Sequence, residues 1–233
     1  MDSPEEPAWA VPQTGGRLDY RAQQLAEAKK LQREHAIKTG RSLWHPNQLA
    51  QRGWYHSLAK LNYASQAPVQ PWLCYPALDW LERKIHAHWQ VAEWGTGLSS
   101  LWWAQRVHSV VSCEHDPEWF ARINAQAQEN MRLELRPLKS DSYLDFVRNQ
   151  NKSFDVVVVD AKRRVACMKR AIDALGTQGL LIFDDSQKVR FYQAWPWLAL
   201  RGFHRRDFWG PKAQQAYCGK TSIFSRDPEA LLD

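Results

Sequence analysis

The stretch of sequence that decides the fold is VAEWGTGLSS, residues 91–100. It begins with a short apolar run, continues through two glycines and ends in a helical pattern, as expected where a buried strand turns tightly into a helix. Small residues at such a turn let the backbone approach a ligand, and the first N–H groups of the following helix have no partner within it. The stretch therefore predicts a strand, a turn and a helix beside a bound ligand.

Further apolar runs alternate with helical patterns on the C-terminal side of this stretch. They cover residues 109–113, 133–138, 156–159 and 180–183. The continuous valine run at 156–159 is typical of a strand buried on both faces, which requires a parallel sheet covered by helices. Two last runs, 203–209 and 221–224, are joined by a link too short for a helical crossover and should pair antiparallel. We therefore predict an α/β fold, a doubly wound and mostly parallel seven-stranded sheet with an antiparallel C-terminal edge.

Helix signals lie between the predicted strands. Residues 76–88 predict a helix with a proline in its first turn, and Asp116 followed by Pro117 predicts the start of another helix. Gly176 and Gly179 are typical of the end of a helix, so we place them before the strand at 180.

Acidic residues follow the predicted strands, where ligands bind in a doubly wound sheet. Glu93 stands two residues before Gly95, where a carboxylate would repel a pyrophosphate but tolerate an ammonium or sulfonium cation. Glu114 ends the second strand, where an acid is expected to accept hydrogen bonds from two ribose hydroxyls. Ser100 stands where a dinucleotide fingerprint requires a third glycine, so a nicotinamide-linked oxidoreductase is the least favoured reading.

Asp141 follows the third apolar run and has two interpretations. It either accepts a hydrogen bond from the amino group of an adenine or caps the helix that begins near Tyr143. The sequence favours neither.

Three motifs together resemble the class I S-adenosylmethionine-dependent methyltransferases. They are E-x-G-x-G from Glu93, the Glu114-His115-Asp116 triplet and FDVVVVD at 154–160, and the match spans roughly residues 71–226. Shorter matches at residues 71–72, 75–77, 102–104, 207–210 and 221–224 look like a little-characterised bacterial methyltransferase-like group. The resemblance implies S-adenosylmethionine as cofactor and Asp160 as the catalytic residue nearest the transferred methyl. It implies cofactor contacts from Glu93, Gly95, Gly97, Ser99, Glu114, Asp141 and Asp160.

The carboxylates of Asp160, Asp184 and Asp185 follow the fourth and fifth strands and should converge. This arrangement resembles the divalent-metal O-methyltransferases, which implies a Mg²⁺ site. The alternative is that one acid orients the cofactor or caps a helix while the others bind nearby cations. The candidate cations are Lys162, Arg163 and Lys188. The basic run at 162–164 either neutralises the acids or binds an anionic acceptor.

The region before residue 71 differs in composition from the rest. Residues 1–19 are rich in proline and glycine, and residues 20–38 predict a charged, mostly solvated helix. We therefore divide the chain into an N-terminal arm and helical extension, residues 1–70, and an S-adenosylmethionine-binding methyltransferase-like domain, residues 71–233.

The composition indicates the cellular location of the protein rather than the reaction that it catalyses. The 233 residues carry a net charge of +6 and 13 tryptophans, which serve either core packing or a stacking surface for an aromatic ligand. Four cysteines without a CxxC pair, an acidic start and no long apolar run predict a cytoplasmic protein that is not inserted in a membrane. No oligomeric state is predicted.

The expected activity is methylation of a hydroxyl group on a small or medium-sized acceptor that is anionic or aromatic. No N-P-P-Y or D-P-P-Y tetrapeptide follows the fourth strand, which disfavours methylation of base amino groups. The alternative is a noncatalytic or RNA-binding protein on the same fold, favoured by the basic balance, the tryptophans and the predicted basic helix.

Overall fold

The computed structural model describes residue 49 and residues 51–54, 69–213 and 218–233. A seven-stranded sheet runs through its centre in the order β3-β2-β1-β4-β5-β7-β6. The strands are β1 Gln90–Trp94, β2 Ser109–Glu114, β3 Met131–Leu135, β4 Phe154–Val159, β5 Leu175–Asp184, β6 His204–Gly210 and β7 Gly219–Ser225. The helices are α1 Tyr75–Lys84, α2 Leu98–Ala104, α3 Pro117–Asn124, α4 Asp141–Leu144, α5 Arg164–Ala171 and α6 Ala194–Ala199. Short 3-10 turns cover Arg148–Gln150, Ile172–Ala174, Val189–Phe191 and Glu229–Leu231.

Alternate side chains of the central strands enter two separate apolar layers. Val157 of β4 packs in one layer, which contains residues of α4, α5 and α6, and Val156 and Val158 pack in the other, which contains residues of α1 and α2. Both faces of β4 are therefore covered, which explains its unbroken valine run. The predicted doubly wound parallel sheet is confirmed for β3, β2, β1, β4 and β5.

The strand order reverses between β1 and β4, which are neighbours although they are far apart in sequence. Connections leaving two adjacent strands in opposite directions open a crevice above their carboxyl ends. The turn after β1 and the residues after β4 therefore face the same space, and this space is where the candidate site lies.

The antiparallel edge is confirmed. β7 pairs antiparallel with β5, from Leu181 opposite Phe224 to Asp184 opposite Thr221, and β6 pairs antiparallel with β7. Every residue of β7 is buried, because it lies between two strands and beneath the helices, whereas β6 is the outer strand.

Some predicted boundaries are wrong. Gly176 and Gly179 do not end a helix but lie inside β5, which begins at Leu175 rather than 180. The register with β4 shifts between Phe154 and Val156, and a Cβ on Gly179 would lie 3.0 Å from the Gly176 carbonyl oxygen. The two glycines therefore lie where the strand is irregular and the backbone comes close to itself. The local sequence does not distinguish this arrangement from the end of a helix.

Most of the region before residue 71 lies outside the described residues, including the predicted arm and the predicted helix at 20–38. The division at residue 70 stays a prediction. Arg52, which is described, donates hydrogen bonds to Glu82 at 2.8 and 3.1 Å and also pairs with Asp79, so this part of the chain packs against α1. Within the described ranges, no helix combines the length and apolar character needed to cross a membrane.

Candidate functional site

The turn after β1 is shaped by Gly95. Its φ is 96°, a conformation that residues with a Cβ rarely adopt, and an added Cβ would lie 2.3 Å from the backbone oxygen of Asp160. Gly97 is different, because its φ of −176° is ordinary extended backbone and an added Cβ would have its nearest neighbour at 3.8 Å. Gly95 therefore allows the turn to lie directly against the end of β4.

Glu93 lies at the bottom of the cleft and is fully buried. Its Oε2 accepts hydrogen bonds from the hydroxyls of Ser100 and Ser112, the latter at 3.4 Å. Its Oε1 has no hydrogen-bond partner among the described residues, and neither has the buried Oγ1 of Thr96. A buried polar atom without a hydrogen-bond partner destabilises the folded state. A polar ligand bound here would therefore supply the missing hydrogen bonds to these two atoms.

Burial raises the pKa of Glu93 to about 8, although the hydroxyls of Ser100, Ser99 and Ser112 act in the opposite direction. The folded state therefore holds a proton that the unfolded chain, with an ordinary pKa of 4.5, releases as the pH rises. Without ligand, the free energy of unfolding should fall between pH 5 and pH 8 by up to about 1.4 kcal/mol per pH unit from this residue alone. Glu93→Gln should remove this contribution to the dependence of the free energy of unfolding on pH. Urea titrations of both proteins at several pH values measure it, and equal slopes would contradict the assignment.

Glu114 joins the ends of β1 and β2. Its Oε1 accepts hydrogen bonds from the backbone N–H groups of His115 at 2.6 Å and Asp116 at 2.9 Å, and its Oε2 accepts one from Thr96 at 3.1 Å. The side chain is 5% exposed, and its exposed part faces the cleft. Oε2 keeps an unused lone pair, so the carboxylate can both support the glycine turn and accept from a ligand hydroxyl.

Two cavities meet at this place. One of ≈ 200 Å³ is lined by residues that include Pro71, Trp72, Leu98, Ser99 and Trp119, and one of ≈ 340 Å³ by residues that include His115, Tyr143, Lys162, Arg164 and Arg190. Both are lined by Gly95, Glu114 and Asp160, so they adjoin across the ends of β2, β1 and β4, and we call the two together the cleft. Such a cleft has the size and mixed polarity of a small-molecule site.

The structure brings together six of the seven predicted cofactor residues. Glu93, Gly95, Gly97, Ser99, Glu114 and Asp160 all line the cleft. Asp141 is exposed and lines neither cavity. Its interpretation as a helix cap is wrong, because the Ser140 hydroxyl accepts from the Tyr143 N–H at 3.1 Å and is the N-cap. Its contact with an adenine stays a prediction.

Tryptophans lie both in the apolar layers and along the cleft. Trp80, Trp94, Trp102 and Trp103 are fully buried and pack the apolar layers. Trp72 and Trp119 line the cleft, with ring centroids 6.5 Å apart and planes at 53°, and their use as a stacking surface stays a prediction. The indole N–H of Trp119 donates to the backbone oxygen of Thr96, which ties this ring to the glycine turn.

The three carboxylates predicted to bind Mg²⁺ lie close together but are held by cations of the chain. Asp160 pairs with Arg164, Asp185 with Lys188, and Asp184 with Lys212 at 2.6 Å. Within the described ranges, no group of three His, Cys, Asp or Glu side chains could hold a metal ion. The residues present therefore do not fit Mg²⁺. Of the three cations that the sequence offered as partners of these acids, Lys188 pairs with Asp185. Lys162 lines the cleft, and Arg163 donates to the Leu138 carbonyl at 3.2 Å.

Burial would lower the pKa of Lys212, but the negative charges of Asp184 and Asp185 outweigh burial and raise it. Lys212 is therefore charged. Burial would likewise raise the pKa of Asp185, and the charge of Lys212 with the hydrogen bond from Lys188 lowers it instead. These groups form a buried ion-pair cluster at the end of β5.

Sequence reasoning missed four residues of the site. Thr96 lies in the glycine turn but was given no role of its own, Trp72 entered only through the short match at 71–72, and Trp119 gave no signal beyond the abundance of tryptophan. Lys212 lies in the connection between β6 and β7, where no motif marks it. Its partners lie 28 and 27 residues earlier in the sequence, so only the pairing of β7 with β5 brings them together.

No protein-family model matches the chain. No curated protein matches it either. Solved structures do share its fold. TomG from Streptomyces achromogenes, an O-methyltransferase involved in tomaymycin synthesis and solved with S-adenosylmethionine, aligns with a TM-score of 0.54 at 15% identity, over 85% of this chain and 98% of that one. An rRNA methylase from Streptococcus thermophilus aligns at 0.51 and 14% identity, over 64% of this chain and 93% of that one.

Spermidine synthase from Thermotoga maritima also aligns, with a TM-score of 0.50 and 13% identity over 65% of this chain and 60% of that one. The same sheet thus supports proteins whose names describe different reactions, so the likeness establishes architecture and not activity. The strand order, the antiparallel edge and these alignments show that the chain has the fold of the class I S-adenosylmethionine-dependent methyltransferases.

Proposed function

We propose that this protein is an S-adenosylmethionine-dependent methyltransferase. The observation that carries the proposal is the meeting of two acids and a glycine turn in one cleft, with buried polar atoms of Glu93 and Thr96 that have no hydrogen-bond partner among the described residues. The Glu93 Oε1 is a complement for the ammonium group of the cofactor, and the Glu114 carboxylate for a ribose hydroxyl. Gly95 and Gly97 leave room for the cofactor beside the backbone.

When bound, S-adenosylmethionine supplies a methyl group whose bond to sulfur breaks as a bond to the acceptor oxygen forms. The chain must align the acceptor and take up the proton that the hydroxyl loses. Asp160 is our candidate for this role, because its carboxylate is 41% exposed and lines both cavities while Arg164 holds one of its oxygens. Asp160→Asn should lower turnover while changing cofactor affinity only a few-fold, and unchanged turnover would reject the role.

The acceptor that the cleft suits best is a small or medium-sized molecule with an anionic or aromatic part and a hydroxyl group. Lys162 and Arg190 are exposed cations at the rim of the larger cavity, where they can bind a phosphate or carboxylate. Trp72 offers an aromatic surface on the other side. These features support an anionic or aromatic acceptor.

Titration calorimetry with S-adenosylmethionine and with its demethylated product tests the proposal directly. We expect saturable binding of both, and incubation of metabolite pools with methyl-labelled cofactor should then identify the acceptor. Absence of binding to both compounds would reject the proposal. Salt-sensitive RNA binding in that case would instead support the noncatalytic alternative.

A further inference from the structure

A lysine occupies the centre of the acidic end of β5. The Nζ of Lys212 lies 2.6 Å from Asp184 Oδ2 and 3.0 Å from Asp185 Oδ1, and its side chain is only 4% exposed. The other oxygen of Asp184 accepts from the Thr221 hydroxyl at 2.9 Å. Both oxygens of Asp184 are therefore used within the chain, and the ammonium lies between the two neighbouring carboxylates.

The acidic and cationic side chains that pair around Lys212 are equal in number. The carboxylates of Asp160, Asp184 and Asp185 face an equal number of cationic groups. These are Arg164, which contacts Asp160 and lies 3.5 Å from Asp185, together with Lys188 and Lys212. A divalent cation added to this cluster would meet buried positive charge and acids that are already paired. Its attraction to these acids would therefore not offset the free energy of its dehydration.

Residues next to this ion pair contact the segment before α1. Lys212 follows Pro211, whose carbonyl oxygen accepts from the Tyr75 N–H at 2.9 Å at the start of α1. The Cys74 N–H donates to the same Thr221 hydroxyl that contacts Asp184, at 3.2 Å. The segment that leads into these contacts contains Trp72, which lines the cleft. The ion pair is thus connected to this segment through two backbone contacts.

We infer that Lys212 is the resident cation of the acidic cluster at the end of β5, a positioning residue that takes the place of a divalent metal ion between Asp184 and Asp185. The cluster then needs no divalent cation, and the ion pair holds the end of β5 beside the segment before α1. The inference does not depend on the proposed function.

Metal binding to the purified full chain tests the inference without any substrate. Terbium luminescence, excited through the tryptophans, should show no saturable site in the wild-type protein. The melting temperature of that protein should be the same in millimolar Mg²⁺ and in excess chelator. Lys212→Ala removes the internal cation and leaves both acids, so it should gain saturable terbium binding and a melting temperature that rises with Mg²⁺.

Lys188→Ala is the matched control, because Lys188 contacts the same Asp185 but is 41% exposed. It should gain no terbium site. Lys212→Met leaves a buried acid unpaired and should lower the melting temperature, and adding Asp184→Asn should recover most of that loss because a neutral pair remains. This rescue keeps the inference testable even where Lys212→Ala fails to fold.

Two results would overturn the inference. One is stoichiometric terbium binding by the wild-type protein that Asp184→Asn abolishes. The other is failure of Asp184→Asn to recover stability in the Lys212→Met background. Neither measurement uses S-adenosylmethionine, so a wild-type protein that binds no cofactor would reject the proposed function and leave this inference standing.

Discussion

Gly95→Ala should destabilise the protein and abolish measurable binding of S-adenosylmethionine. The methyl group would lie 2.3 Å from the Asp160 backbone oxygen, and the residue would have to keep a φ of 96°. Left-handed backbone and overpacking against a strand end together cost about 2–5 kcal/mol. Relief of the contact would move the turn away from β4 and open the cleft. Chemical denaturation and calorimetry measure the two effects.

Gly97→Ala is the control for this prediction, because it adds the same methyl group two residues along the same turn. Its nearest neighbour would be the Trp119 indole nitrogen at 3.8 Å, an ordinary contact, and its backbone is extended. The free energy of unfolding should change by less than about 1 kcal/mol. Equal destabilisation by the two substitutions would show that the contact with Asp160 does not shape the turn.

Glu114→Ala should weaken S-adenosylmethionine binding by roughly 10–10²-fold, because a hydrogen bond from a ribose hydroxyl to a charged group is worth about 1.5–3 kcal/mol. The carboxylate lines both cavities. Calorimetry with the cofactor measures the loss. A decrease of less than about tenfold would remove the ribose role from Glu114.

The control for Glu114 must separate ligand contact from support of the turn, because its Oε2 also accepts from the Thr96 N–H. Glu114→Gln lacks the charge and keeps one acceptor oxygen, which can accept from Thr96 or from His115 and Asp116 but not from all three. It should therefore lose less thermal stability than Glu114→Ala and bind the cofactor more weakly than the wild-type protein. A variant that is as stable as the wild type and binds equally well would contradict the ribose role.

The sheet and the residues that line the cleft could be predicted from the sequence because their signals are local. A valine run such as 156–159 indicates a strand covered on both faces, and Glu93 and Glu114 lie at the carboxyl ends of strands. Parallel strands end at the same edge of a sheet, so residues at their ends meet without knowledge of any long-range contact. This is why six predicted residues line one cleft.

The ion-pair cluster at the end of β5 could not be predicted in this way. Lys212 and Asp184 meet only because β7 inserts between β5 and β6, and the sequence marks neither the insertion nor the lysine. The three acids suggested a metal from their positions alone, whereas Lys212, which contacts Asp184 and Asp185, lies far from them in the sequence. The interpretation of Asp141 as a helix cap was wrong for a local reason, because Ser140, one position earlier, caps the helix.

Both outer strands of the sheet carry charges. β6 begins with the run His204-Arg205-Arg206-Asp207, and β3 contains Arg132 and Glu134 in alternate positions. A strand from another molecule that tried to extend the sheet at either side would have to desolvate these groups. Charged borders therefore discourage sheet-to-sheet aggregation, so the protein should tolerate the high concentrations that calorimetry requires.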